Sequence, residues 1–185
     1  MHSLERYQLI KDTFIGQLSH HSGQLLYNEI QLPIIGSDGS RIPNFVVDSL
    51  DQLTGTISDF YDEVKFPNYG DIDDYASLID KGSKNLFTYR LDQELGYGVK
   101  VLELGCGTGQ LSLYLARGNR EIYGVDISNG SLLLGEGFRI KNKIDNVYFM
   151  KMDVFDLKFK SNTFDFTVSN GVLHHTKDAR KAFKC

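Results

Sequence analysis

The residues best suited by type and spacing to do chemistry lie in the run Val101-Leu102-Glu103-Leu104-Gly105-Cys106-Gly107-Thr108-Gly109. Glycines at alternate positions, Gly105, Gly107 and Gly109, follow an acid, Glu103. Glycine reaches positive φ freely and lets a ligand approach the main chain, so such a turn between a strand and a helix is a ligand cradle. The third glycine discriminates between ligands. A dinucleotide fingerprint, G-x-G-x-x-G, needs glycine at 110, where this chain has Gln110. Downstream, Asp126 closes the apolar stretch Tyr123-Gly124-Val125, about twenty residues after the turn, where a carboxylate can accept both hydroxyls of a ribose. It argues for an adenosine ligand without choosing among them. Its alternative use is to cap the next helix, for which Ser128 and Asn129 also stand ready. Two adjacent histidines, His174 and His175, are of the residue type most often used as a general base. Neighbours point in different directions on a regular element, so at least one is expected to be structural.

These residues need elements to hold them. From Val99 onward the pattern is strand, glycine turn, helix, repeated: Val99 to Leu104, Glu121 to Val125, Val147 to Met152 and Phe164 to Ser169 read as strands, with helices over Thr108 to Arg117 and Ser131 to Lys141. Strands alternating with helices predict parallel βαβ units, whose right-handed crossovers bring the strand ends to one edge, the usual ligand position of open α/β sheets. Residues 1–75 differ. They hold all three prolines, an apolar-periodic start (Leu4 to Leu18) that suits a helix, and the turn signal Gly36 to Ser40 between two short β-like runs, Leu32 to Ile35 and Asn44 to Val47. A hairpin is expected there, then a short helix ahead of Pro67. Asp74 to Leu95 has helical spacing with a soft break near Gly82 and Gly96 at its end.

With its acid two residues before G-x-G-x-G, the first motif resembles that of the class I S-adenosylmethionine-dependent methyltransferases. The segment Phe164-Asp165-Phe166-Thr167-Val168-Ser169-Asn170-Gly171-Val172-Leu173-His174-His175 is similar to that family's post-strand segment and falls in the expected order. The resemblance implies a Rossmann-like α/β domain over 76–185, preceded by a mixed helical and hairpin segment over 1–75 that includes a cover for the cofactor. It implies S-adenosyl-L-methionine as cofactor. Gly105, Cys106, Gly107 and Gly109 would pack against the methionine moiety, Glu103 would place its amino group, Asp126 would take the ribose, and Asp153 and Val154 would meet the adenine edge between Ile127 and Phe155. Asn170, Gly171 and His174 would face the methyl group and acceptor, with Asn170 and His174 the catalytic candidates. Tyr61, Phe66 or Tyr69 could belong to the cover, although core packing is the favoured use of most of these aromatics. The family's K-P-G-G-like fifth-strand segment does not follow the histidines, so the sheet is expected to be incomplete at its C-terminal side, with an exposed edge available for self-association. Two rivals follow: a cofactor-binding fragment unable to turn over, and, less favoured, an NAD-binding oxidoreductase.

Composition narrows the partners. The chain has 185 residues, 41% hydrophobic and 24% charged, ordinary for one packed globular domain with an appendage. A net charge of −4 offers no global attraction to nucleic acid and favours a small-molecule acceptor over a macromolecule. No apolar run reaches the ~18 residues of a membrane span and the start lacks a secretory h-region, so a cytoplasmic protein is expected. The two cysteines, Cys106 and Cys185, have no spacing for a metal or a disulfide framework, and no metal is expected.

Overall fold

The computed structural model describes residues 31–37, 40–46 and 52–184; the helix expected over Leu4 to Leu18 lies outside them. Six strands form one mostly parallel sheet: β1 (Gln31–Ile35), β2 (Arg41–Asn44), β3 (Lys100–Leu104), β4 (Glu121–Asp126), β5 (Val147–Lys151) and β6 (Phe166–Ser169), in the spatial order β1-β2-β5-β4-β3-β6. β3 pairs in parallel with β4 on one side and β6 on the other. The strand order therefore reverses beside β3, and a crevice is expected outside the carboxyl ends at such a switch point. β1 and β2 are an antiparallel hairpin that extends the sheet beyond β5, through Asn44 opposite Lys151 and a 2.9 Å bond from Phe45 N to Lys151 O.

Burial on both faces makes the central strands nearly continuous apolar runs. Period-two alternation divides them. Val101, Ile122, Val147 and Phe149 belong to one buried cluster, and Leu102, Leu104, Tyr123, Val125 and Met150 to another. The first face is packed by α4 (Gln110–Leu115) and α5 (Asn129–Lys141), which contribute Leu113, Leu115, Leu132 and Phe138. On the second, Tyr123 stacks on Tyr148 and meets the edges of Phe159 and Phe164.

Ahead of β3 come α1 (Gln52–Glu63), α2 (Tyr75–Lys84) and α3 (Leu86–Glu94). Their boundaries follow from capping. Asp74 and Ser77 form a capping box at the start of α2. The expected break near Gly82 falls instead at Asn85, which ends α2 and caps α3 by accepting from Thr88 N at 3.0 Å. Gly82 serves packing: a Cβ there would sit 2.2 Å from the Tyr114 ring. The short α6 (Ala179–Ala182) starts at its cap Asp178. Among the described residues no helix is long and apolar enough to cross a membrane.

Candidate functional site

Leaving β3, the chain turns at once, because Gly105, Gly107 and Gly109 all have positive φ, 68°, 54° and 75°. The turn is bonded to β4: Gly105 N and Cys106 N donate to Val125 O at 2.8 and 3.0 Å, and Gly107 N donates to Asp126 Oδ2 at 2.8 Å. Close approach also demands glycine at these positions. A Cβ on Gly107 would lie 2.5 Å from Phe66 O, and one on Gly109 2.1 Å from Phe149 Cζ.

Three acids stand around this loop. Glu103 is buried, points to the α4 face and accepts from Ser112 Oγ at 2.5 Å. Burial pushes its carboxyl up to about 8; the Ser112 hydrogen bonds oppose this and the neighbouring Asp126 carboxylate adds to it. Asp126 ends β4 and accepts from two main-chain N–H groups, Gly107 through Oδ2 and Ser128 through Oδ1 at 2.9 Å. Burial raises its pKa despite those donors. Asp126 does not cap α5; that cap is Ser128, whose Oγ accepts from Ser131 N. Asp153, just after β5, accepts from Phe155 N at 2.9 Å. The Cys106 thiol is pushed far above its ordinary range by burial, then by Asp126 and Glu103.

A cover closes the crevice. In α1, Asp62 Oδ1 accepts from Ser128 Oγ at 2.7 Å and Gly130 N at 2.8 Å, while Ser58 Oγ donates to Ile127 O at 3.0 Å. The segment Phe66 to Tyr69 then crosses the glycine loop, held by Thr108 Oγ1 to Pro67 O (2.5 Å), Gln110 Nε2 to Asn68 O (2.7 Å) and Tyr69 Oη to Thr108 O (2.8 Å). Of the three cover candidates, Tyr61 and Phe66 line the cavity beneath, while Tyr69 packs, stacked on Phe138.

That cavity is about 750 Å³. Its wall brings together Glu103, Gly105, Cys106, Gly107, Asp126, Ile127, Asp153, Val154, Phe155, Asn170 and Gly171, from the ends of all four parallel strands β3 to β6. Gly109 and His174 are not on it. Gly109 turns the chain into α4, and of the histidine pair it is His175 that reaches the wall. The wall also includes residues to which the sequence pattern assigned no site role: Leu78 and Lys81 on α2, Asn85 between α2 and α3, Thr88 on α3, and Leu111 and Tyr114 on α4. A signal existed for the first three. Leu78, Lys81 and Asn85 are spaced i, i+3, i+7, so the lysine shares a helix face with a buried leucine.

A glycine turn and three acids near the strand ends of a mostly parallel sheet mark a Rossmann-like domain. Residues 102–185 match the family model described as methyltransferase domain. The chain is 28% identical over 85 residues to the uncharacterized methyltransferase YcgJ of Bacillus subtilis (strain 168), covering 46% of this chain and 34% of that one. It is 29% identical over 90 residues to the demethylmenaquinone methyltransferase of Geobacillus sp. (strain WCH70), covering 47% and 38%. The match thus spans little more than a third of those relatives. Two solved structures share the fold: the [4+2]-cyclase SpnF (TM-score 0.54, 21% identity, 71% of this chain and 54% of that one) and a putative S-adenosyl-L-methionine-dependent methyltransferase of Methanococcus maripaludis (TM-score 0.52, 17% identity, 75% and 60%). From β3 onward the chain is thus similar in sequence to methyltransferase domains and shares the fold of these two solved structures.

Proposed function

We propose that this protein holds S-adenosylmethionine across the carboxyl ends of β3 to β6 and transfers its methyl group to a small-molecule acceptor. The observation that carries this is the convergence of Glu103, Asp126, Asp153 and Asn170, each from a different strand end, on one cavity. The donor set suits the ligand. Glu103 is a buried acid held near neutral charge, and an ammonium group beside it would restore its ionised form. The glycine loop admits a main-chain contact that a side chain would block. Asp126 is offered for the ribose hydroxyls, Asp153 and Val154 for the adenine edge, and Ile127 and Phe155 for its faces.

A sulfonium methyl group is an activated electrophile, so what the chain must contribute is mostly alignment of the acceptor and exclusion of water. Asn170 and Gly171 follow β6 where the acceptor would enter, and α1 with Phe66 closes over it. A proton released by the acceptor would pass to a histidine, and His175 is the one of the pair on the wall. Against an NAD-binding oxidoreductase stands Gln110, which occupies the position of the required glycine and is bonded to Asn68. Calorimetric titration with S-adenosylhomocysteine and with NAD tests the reading: the adenosyl amino acid should bind and NAD should not. Binding of NAD alone would overturn it.

A further inference from the structure

Behind Asp126, and not itself on the cavity wall, stands Lys151. In the parallel register of β4 and β5 the two residues lie directly opposite each other. Alternation counted from Ile122 and Val147, which share one buried cluster, puts both side chains on that face of the sheet. Lys151 Nζ donates to Asn129 Oδ1 at 2.9 Å. Asp62 holds the residues on either side of Asn129, accepting from Ser128 Oγ and from Gly130 N. A cation from β5 and a carboxylate from α1 therefore grip the same turn, the one that leads from Asp126 into α5. Lys151 is half-buried, and burial lowers its pKa from the ordinary 10.5, whereas Asp62, Asp126 and Asp59, in that order, oppose the shift. Attraction between charges is mutual, so the ammonium favours the ionised form of the same acids. Asp126 needs that help. Burial raises its pKa although the main chain of Ser128, Gly107 and Ile127 opposes this, and Asp62 raises it further. Glu103 and Cys106 face it from the side of β3, and the stem of Lys65, just past α1, reaches Gly130.

We infer that Lys151 is a positioning residue for the ribose: from behind the wall, its ammonium keeps the Asp126 carboxylate an ionised acceptor of both hydroxyls. The inference rests on the proposed function. An ionised carboxylate accepts at both oxygens, whereas protonation turns one of them into a donor. Each Asp126 oxygen already accepts a main-chain N–H, so a proton there competes with that bond or with a ribose hydroxyl. The sign follows. Ribose binding is strongest above the Asp126 pKa and falls as pH drops through it, and removal of Lys151 moves that fall to higher pH.

The test compares wild type, Lys151→Met, Lys151→Gln and Lys151→Arg on S-adenosylhomocysteine and its 2′,3′-dideoxy analogue across the neutral pH range. The ratio of the two affinities isolates the ribose hydroxyls, because the amino-acid end that meets Glu103 is common to both ligands. Lys151→Met should lower that ratio about tenfold against wild type at the acid end of the range, the effect of a one-unit shift, and much less at the alkaline end. The dideoxy analogue should bind as it does to wild type. Lys151→Gln, which keeps a donor for Asn129 but no charge, should behave as Lys151→Met does, and Lys151→Arg should restore the ratio. Carboxyl-carbon NMR of ligand-free protein reads the same change directly, as a higher Asp126 midpoint in both neutral variants. A ratio that falls equally at every pH, a loss shared by the dideoxy analogue, or an unmoved Asp126 midpoint would overturn the inference while wild type still discriminates between the ligands. Wild type that binds both ligands alike, or neither, would overturn the ribose reading itself and the inference with it.

Discussion

A carboxylic acid on the inner face of a sheet is sensitive to whatever charge arrives beside it, and Glu103 is in that position. Its folded value of about 8 lies above the ordinary 4.5. The sign follows from linkage: the folded state holds the proton more tightly, so Glu103 favours folding fully below about 4.5 and loses that contribution as pH rises through about 8. Ligand-free protein should lose this part of its stability over that window, and Glu103→Gln should flatten the slope in thermal melts. The same shift governs binding. An ammonium ligand selects the ionised carboxylate, so binding near pH 7 should release protons, detected as a calorimetric enthalpy that changes with the ionisation enthalpy of the buffer. A buffer-independent enthalpy would show that Glu103 does not ionise on binding. Asp126 answers to a different test. Its oxygens already accept from Gly107 and Ser128, yet each keeps lone-pair capacity for a ribose hydroxyl. Asp126→Ala should cost about 1.5–3 kcal/mol of S-adenosylhomocysteine affinity, and an unchanged Kd would leave Asp126 as the loop's fastener alone.

At the scale of elements, the glycine loop is clamped between a strand on one side and the Phe66 to Tyr69 crossing on the other. Gly107→Ala would drive a methyl group against Phe66 O, 2.5 Å away, at a φ of 54° that disfavours a side chain. Strain of this kind costs about 1–3 kcal/mol. The variant should melt lower and bind the adenosyl ligand more weakly, because the crossing must lift; hydrogen exchange should rise at residues 66–69 and stay unchanged in β4. An exchange pattern like that of wild type would show that the crossing does not rest on the loop. Much of this was legible in the sequence. The acids Glu103, Asp126 and Asp153 close parallel strands, and periodicity places strand ends reliably, so their convergence followed from topology. Gly109 and His174 were less legible: a glycine in a motif can serve turn or ligand, and which of two adjacent histidines faces inward depends on the 3-10 turn Leu173–His175. The hairpin's union with the parallel sheet left no local signal, since it rests on tertiary pairing of β2 with β5. Lys81, Asn85 and Thr88 are hard to read as wall residues, because a polar residue on or beside an amphipathic helix ordinarily faces solvent.

For the whole molecule, the shared fold with a [4+2]-cyclase is a reminder that architecture positions a site without naming its reaction. What architecture must do is hold the helices before β3 against the sheet, and a buried network does that. Arg120, the residue before β4, donates to Asp92 Oδ1 at 2.7 Å and to the carbonyls of Asp92, Leu95, Gly96 and Leu115 at 2.8 to 3.1 Å. Arg117 pairs with the other Asp92 oxygen. Burial alone would raise the Asp92 pKa, but the hydrogen bonds from the two guanidinium groups hold it below the ordinary 3.8. Its contribution to folding is therefore present above that value and lost as pH falls through the depressed one. Arg120→Met would leave Asp92 with one guanidinium, that of Arg117, and a long 3.4 Å bond from Gln93 Nε2, and four carbonyls without their Arg120 donor. Breaking a buried pair from one side costs about 3–5 kcal/mol, which should appear as a lower urea midpoint at unchanged m-value. None of the cavity residues bonds Arg120, so S-adenosylhomocysteine affinity measured well below the unfolding transition should stay within about twofold of wild type, far less than a lost charged hydrogen bond. A stability loss below about 1 kcal/mol, the size expected of an exposed pair, would show that the network does not clamp α3 to the sheet. A parallel loss of affinity at full folding would show that the clamp also shapes the cavity.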